Sequence, residues 1–309
     1  MRILNIGSLN IDFVYGVDHI VRPGETISSD HLDVFCGGKG LNQSVALSRA
    51  GLEVFHAGMV GEDGEMLLEA LARNGLDASL IRRAPGRNGH TVIQVDAGGQ
   101  NCILLYGGTN RQLTEDYVDE VLAKTSPDDI ILLQNETNLV GEIIDRAWRR
   151  GLRVVLNTAP MDSLVPTYDL GKLAWLIVNE IEGAEITGHD SENASGIVET
   201  LAAGYPGVGL LLTLGNRGVC CHHSGRRLGL GIYEVPVADT TAAGDTFTGY
   251  FLYGILHGLS LEETLRQATM ASAICVTRHG AANSVPSREE VEKALAGNIF
   301  GELTQGVTI

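Results

Sequence analysis

The sequence predicts a doubly wound α/β fold, a mostly parallel sheet with helices on both faces, and three observations carry the prediction. Extended runs that are apolar throughout recur along the chain: "ILNIGS", "EVFHAGMVG", "DIILLQ", "RVVLNT", "LAWLIVN" and "VGLLLTLG". Continuous rather than alternating apolarity marks strands covered on both faces. Between several of them lie segments with apolar residues at helical spacing, such as "GEMLLEALARNG" and "VGEIIDRAWRRG", each closed by a glycine suited to the left-handed conformation. No internal repeat, low-complexity tract or linker divides the chain, so residues 1–309 are read as one domain.

Taken in order, "ILNIGS" starts the sheet, and residues 11–33 then break the alternation. They and residues 89–106 read as short strands with turn signals at "RPGE" and "AGGQ" and no helix between them. The two segments are expected to form a small antiparallel sheet, a lid standing off the main domain. Phe13, Val14, Ile93 and Ile103 are its candidate substrate contacts, although the inward face depends on a pairing register that the sequence does not state. "CGGKGLNQSVALSRAG", residues 36–51, opens a helix with glycines and a lysine. The last third reads as helical, with "SLEE" at 260 and "SREE" at 287 both fitting a capping box.

Bulk properties exclude several classes. With 44% hydrophobic residues the chain is not disordered, and a formal net charge of -16 argues against nucleic acid or an anionic membrane surface as partner. No stretch reaches the length of a membrane span, and "MRILNIGSLN" lacks the order of a signal peptide, so a cytoplasmic location is expected. Cys36, Cys102, Cys220, Cys221 and Cys275 make an odd set without CxxC spacing and read as reduced thiols. The adjacent His222 and His223 point to opposite faces of a strand and make a poor metal pair.

In open α/β sheets ligands bind beyond the carboxyl ends of the strands. The residues there are Asn10 and Asp12, Glu136, Asn157, Asn179 and Thr213. Amides and carboxylates together can pair both functions of a hydroxyl, which fits a polyhydroxylated, sugar-like ligand. "GGKGLNQ" offers close backbone approach and places Lys39 and Asn42 near a helix N-terminus, but it is not a Walker A motif, and "GSLNID" is not GxGxxG. In "VADTTAAGDTFTGYFLYGILHGL", residues 237–259, Asp245 stands where a long apolar helix begins. It is either an N-cap or a carboxylate base beside N–H donors that small residues leave accessible to an anion.

"GGKGLNQ" early and "DTTAAGDTFTG" about two hundred residues later resemble the paired signatures of the ribokinase family of PfkB-type sugar kinases. The intermediate motifs "GSLNID", "PGET", "LLQNET", "LNTAP", "VNEIE", "LTLGNRGV" and "VTRHGAANSVP" occur in family order along essentially the whole chain. The resemblance implies an ATP-dependent kinase that phosphorylates the primary hydroxyl of a pentose, D-ribose first. Deoxyribose, a ketohexose or a nucleoside are the alternatives, and a non-catalytic sugar-binding relative is a third class. By the same resemblance, Asn10, Asp12, Gly38, Lys39, Asn42 and Glu136 hold the sugar and Asp245 is the general base. The N–H groups of Ala242, Ala243 and Gly244 form an anion hole. Asn179 and Glu182 position magnesium and phosphates, partly through water. Thr213, Gly215, Gly218 and Thr269 meet the nucleotide. Asp239, Thr241, Cys275, Arg278, Gly280 and Ser284 make a potassium loop. The lid is expected to close over the sugar and to pair into a homodimer. Thr158 in "LNTAP" and the proline-free "NLVGEII" depart from the family pattern, and both are expected to leave the catalytic set untouched.

Overall fold

The computed structural model describes residues 2–306. Strand β1 (Ile3–Ile6) is followed by the hairpin β2 (Asn10–Gly16) and β3 (His31–Gly37), then by α1 (Lys39–Ala50) and β4 (Val54–Val60). Next come α2 (Glu65–Arg73), β5 (Asp77–Arg83) and a second hairpin, β6 (Gly89–Val95) and β7 (Asn101–Tyr106). The chain then winds through α3 (Glu115–Leu122), β8 (Ile130–Gln134), α4 (Val140–Arg149), β9 (Arg153–Asn157), β10 (Trp175–Asn179), α5 (Glu180–Thr187), α6 (Ala194–Gly204) and β11 (Gly209–Thr213). A third hairpin, β12 (Val219–His223) and β13 (Arg226–Leu230), precedes α7 (Ala243–Leu256), α8 (Leu261–Val276) and α9 (Arg288–Ala296).

The main sheet has nine strands in the order β13-β12-β11-β10-β9-β8-β1-β4-β5, parallel from β11 to β5 and antiparallel at the β12–β13 edge. All six apolar runs lie in it. On β1, Ile3 joins a core with side chains of α1, α2, α7, α8 and α9, whereas Leu4 and Ile6 face α3, α4 and α6. Both faces of the strand are therefore buried, which is why its polar–apolar alternation is missing. Gly75 and Gly151, just beyond α2 and α4, take φ of 67° and 74°. Ser260 and Ser287 form their capping boxes with Glu263 and Glu290. The edge hairpin, which the apolar pattern does not single out, turns on Ser224 and Gly225 at φ of 50° and 75°. Consecutive positive φ values match the twist of two-residue hairpins.

The second sheet is β3-β2-β6-β7 and differs from the expected antiparallel lid in two ways. Its outer pairs are antiparallel but β2 and β6 run parallel, and its first hairpin extends past residue 33 to Gly37. The parallel pair follows from the main sheet. β1 and β5 point the same way, and each is followed by a hairpin whose first strand leaves that same carboxyl edge. Among the described residues no helix is long and apolar enough to cross a membrane.

Candidate active site

A cleft of about 1070 Å³ lies between the lid and the carboxyl ends of the main strands. It is large enough for two small-molecule substrates side by side. The register resolves the lid: Asp12 stands opposite Thr91, Val14 opposite Ile93, and Ile93 opposite Ile103. Val14, Ile93 and Ile103 line the cleft, whereas Phe13 belongs to the other face and meets His90 edge-on at 6.0 Å. Asn10 and Asp12, which follow the first strand, begin the lid strand β2, one residue ahead of the expected start of the lid at 11.

Glu136, just beyond β8, gathers the residues expected to hold the sugar. One of its oxygens accepts from the Ser8 hydroxyl, from the Lys39 N–H at 3.0 Å and from Asn10 Nδ2 at 3.5 Å. Burial raises its pKa. Asn10 Oδ1 accepts from Asn110 Nδ2 at 2.7 Å, and Asp12 Oδ1 accepts from the Thr91 hydroxyl at 2.6 Å. Burial, opposed by the Thr91 bond and aided by Glu136, pushes the Asp12 carboxyl up to about 6. Burial also works against the charge of Lys39, but Asp245, Glu136 and Glu182 outweigh it and raise the ammonium pKa. The glycines of "GGKG" serve protein packing. Gly38 has φ of 93°, and a Cβ on Gly40 would stand 2.3 Å from the Ser8 nitrogen. Only an unsubstituted α1 N-terminus can sit this close to the β1–β2 connection.

Asp245 is not an N-cap. Ala242 occupies that position in the left-handed region, φ 59°, with no side-chain cap bond, and Asp245 lies in the first turn of α7. Its carboxylate accepts from Asn42 Nδ2 at 3.1 Å and Gln43 Nε2 at 2.9 Å, two amides of α1. The buried Oδ1 of Asn42 has no partner. Within the expected anion hole, the Ala243 N–H is already bonded to the Thr240 carbonyl at 3.2 Å. This departs from the expected donor set. The N–H groups of Ala242, Gly244 and Asp245 remain without a hydrogen-bond partner among the described residues. A Cβ on Gly244 would meet nothing within 4 Å, so the approach to this turn is open.

Asn179 caps α5 and forms a reciprocal capping box with Glu182. Glu182 Oε2 accepts from the Asn179 N–H at 3.0 Å and from the Thr158 hydroxyl at 2.8 Å. Thr158 therefore touches the expected magnesium pair. Burial raises the pKa of Glu182 despite both bonds. Thr213 ends β11 in the cleft wall with Asn157 and Asn179, whereas Gly215, Gly218 and Thr269 lie outside the lining. The Thr269 hydroxyl is buried and unpartnered. Asp239 links the two expected cation loops, accepting from the Thr241 N–H at 2.8 Å and the Gly280 N–H at 3.0 Å. Burial pushes its pKa up, but the bonds from Thr241 and Gly280 prevail and hold it below the usual range. The Arg278 guanidinium pairs with Glu290 at 2.5 Å rather than with Asp239. Cys275 meets Ser284 Oγ at 3.1 Å, and its side chain packs with Ala242 and Ala281.

Residues 2–288 match the pfkB family carbohydrate kinases. The chain belongs to that family. A ribokinase from Haemophilus influenzae is 34% identical over 297 residues, covering 92% of this chain and 95% of the relative. Ribokinase from Cryptococcus neoformans in complex with ADP superposes with a TM-score of 0.83 at 35% identity, covering 94% of this chain and 99% of that one. Arabidopsis thaliana ribokinase complexed with ribose and ATP gives 0.85 at 30% identity, covering 95% and 98%. In this pfkB kinase, sequence reasoning missed Ser8, Gln43, Thr91, Asn110 and Thr158, all of which hold a site residue in place. Ser8 and Gln43 stand inside the motifs "GSLNID" and "GGKGLNQ", so adjacency to Asn10 and Asn42 was their available signal. Thr91 and Asn110 carried none, because their partners lie 79 and 100 residues away.

Proposed function

We propose that the chain transfers the γ-phosphoryl group of ATP to the primary hydroxyl of D-ribose, giving ribose 5-phosphate. The observation that carries the reading is the first turn of α7. There a carboxylate held by two amides, and not used as a cap, stands beside N–H donors with no protein partner. Ribokinases similar to this chain, two of them solved with ADP or with ribose and ATP, support the choice of substrates.

Asn10, Asp12, Lys39 and Glu136 supply acceptors and donors to the sugar hydroxyls, Gly38 lets the backbone approach, and the free Oδ1 of Asn42 accepts from one hydroxyl. Asp245 takes the proton of the primary hydroxyl while that oxygen bonds to the γ-phosphorus and the bond to the ADP oxygen breaks. The N–H groups at the start of α7 hold the charge of the transferring group, and the helix N-terminus adds its positive end. Thr213 and the loop of Gly215 and Gly218 lie on the nucleotide side. Magnesium, when bound with ATP, neutralises phosphate charge. No group of three or more His, Cys, Asp or Glu among the described residues could ligate a metal, and Glu182 is already hydrogen-bonded through both oxygens. Asn179 and Glu182 therefore fit a hydrated ion held through water, the habit of magnesium.

Potassium would sit between the loops of Asp239 and Thr241 and of Cys275, Arg278, Gly280 and Ser284, largely on carbonyl oxygens. The packing of Ala242 with Cys275 and Ala281 would carry its effect to the donor turn. The outward face of the lid, where Leu104 is 70% and Tyr106 55% exposed, fits a second copy of the chain. Five free thiols agree with a cytoplasmic location. The test is ADP release with D-ribose, 2-deoxyribose, fructose and adenosine in parallel, with the product position read by NMR. A kcat/KM for ribose below that of any other acceptor would replace the substrate.

A further inference from the structure

Behind the first turn of α7 lies a set of buried amides that the proposed chemistry does not use. Asn5, Gln43 and Gln134 are each 0% exposed. They come from β1, α1 and β8, and their hydrogen bonds diverge from Gln134, one arm running through Asn5 to Gly40 and the other through Gln43 to Asp245. Asn5 Nδ2 donates to the Gly40 carbonyl and the Ser44 hydroxyl, both at 2.8 Å. Gln134 Nε2 donates to Asn5 Oδ1 at 3.0 Å and to Gln43 Oε1 at 2.7 Å. Gln43 Nε2 then donates to Asp245 Oδ1 at 2.9 Å.

An amide can be turned over without changing its shape, so its orientation is set by what its neighbours can accept or give. The Gly40 carbonyl only accepts, which requires the NH2 group of Asn5 on that side and its oxygen toward Gln134. Turning Gln134 over would place its oxygen against the oxygens of both Asn5 and Gln43. Gln134 therefore presents NH2 to Gln43, and Gln43 in turn presents NH2 to Asp245. The cost of this arrangement is visible, since Gln134 Oε1 is buried without a partner. These side chains are fully buried, out of reach of bulk water, so the orientation imposed at Gly40 reaches the carboxylate three amides away.

We infer that Gln43 is a positioning residue for Asp245, its NH2 locked toward the carboxylate by the amide sequence Gly40–Asn5–Gln134–Gln43. The inference rests on Asp245 being the base. Gln43 holds one oxygen and aims the other, which accepts from Asn42, into the cleft. A hydrogen bond donated to the charged form favours that form, so losing it makes the carboxylate a poorer base at low pH.

The experiment uses the full chain with Gln43→Met, which removes the donor, and Gln43→Glu, which puts a second carboxyl beside Asp245. Two carboxyls in contact share one proton, so the second variant displaces the titration further. Lys39, Glu136 and Cys275 also act on Asp245 through space, and all three are unchanged in both variants. The expected result for Gln43→Met is a kcat lower by about tenfold or more, the scale of a charge-assisted hydrogen bond. Its ribose KM stays within about threefold and the acid limb of its kcat–pH profile moves upward, with Gln43→Glu displaced further still. Wild-type kcat and pH limb in a folded variant would overturn the positioning role, and loss of cooperative melting in both variants would do the same by assigning the amides to stability. Asp245→Asn run alongside separates the two ideas. If it stays active, the base reading fails; if it is inactive while the Gln43 variants behave as wild type, only the positioning role fails.

Discussion

Replacing Asp245 by Asn tests the base without removing the fold. In the wild-type chain both carboxylate oxygens accept, one from Gln43 Nε2 at 2.9 Å and the other from Asn42 Nδ2 at 3.1 Å. An amide at 245 keeps its oxygen toward Gln43, whose orientation is fixed from Gly40, and turns its NH2 toward Asn42. Asn42 can turn over to meet it because its Oδ1 has no other partner. The number of hydrogen bonds is then conserved, and stability should change by less than about 1 kcal/mol. Turning Asn42 withdraws one acceptor from the cleft, so ribose affinity should change only a few-fold. The chemistry has no such replacement, because an amide cannot take the hydroxyl proton. A general base contributes about 10² to 10⁴ in rate, which is about 2.7 to 5.5 kcal/mol of barrier. Coupled ADP release gives kcat, calorimetry gives ribose affinity, and a thermal melt gives stability. A variant retaining more than about a tenth of wild-type kcat would refute the base, given the expected loss. Unchanged inactivity with a collapsed melt would refute the rearrangement at Asn42.

Asp12→Ala should weaken ribose binding by about 1.5 to 3 kcal/mol and leave ATP binding unchanged, since charged hydrogen bonds to the sugar are lost; calorimetry of both ligands decides it. Because the Asp12 carboxyl titrates near 6, wild-type ribose affinity should fall as pH drops through that value, and Asp12→Asn should flatten the dependence. Gly244→Ala meets open space and should keep the melting temperature while lowering kcat/KM for ATP, whereas Gly40→Ala presses on the Ser8 backbone and should cost several kcal/mol of stability, on the order of a severe core substitution. Buried His56 bonds to Ser44 and the Gly7 carbonyl, and burial, only partly offset by the latter bond, lowers its pKa to about 4. The folded chain thus resists protonation that the unfolded chain accepts below 6.5, so stability is full above that value and lost as pH falls toward about 4. At pH 5 the loss from this residue is about 2 kcal/mol, and denaturant unfolding of His56→Gln should show a shallower decline between pH 8 and 5. Potassium should raise kcat/KM above sodium or a bulky organic cation at equal ionic strength; equal rates would remove the cation from the loops, since general screening does not distinguish ions of equal charge.

The strands and their ends were legible because a parallel strand buried on both faces writes its apolar run locally, and the polar residue that ends it falls at the ligand edge. Asn157, Asn179 and Thr213 could be placed from this alone, as could the capping boxes of α8 and α9, which depend on residues three apart. What the tertiary structure decided depends on distant partners. The parallel β2–β6 pairing, and with it the cleft face carrying Asp12, Val14 and Ile93, comes from two hairpins leaving one edge of the main sheet. The first turn of α7 reads as a cap in isolation; in the fold Ala242 takes the cap position, and the amides of α1, 202 and 203 residues away, hold the Asp245 carboxylate instead. Local periodicity states which residues are buried and in what kind of element. Which hydrogen-bond donor meets which acceptor is settled by the packing of elements far apart in the chain, where a buried polar group must find a partner and no pattern in its own neighbourhood names it.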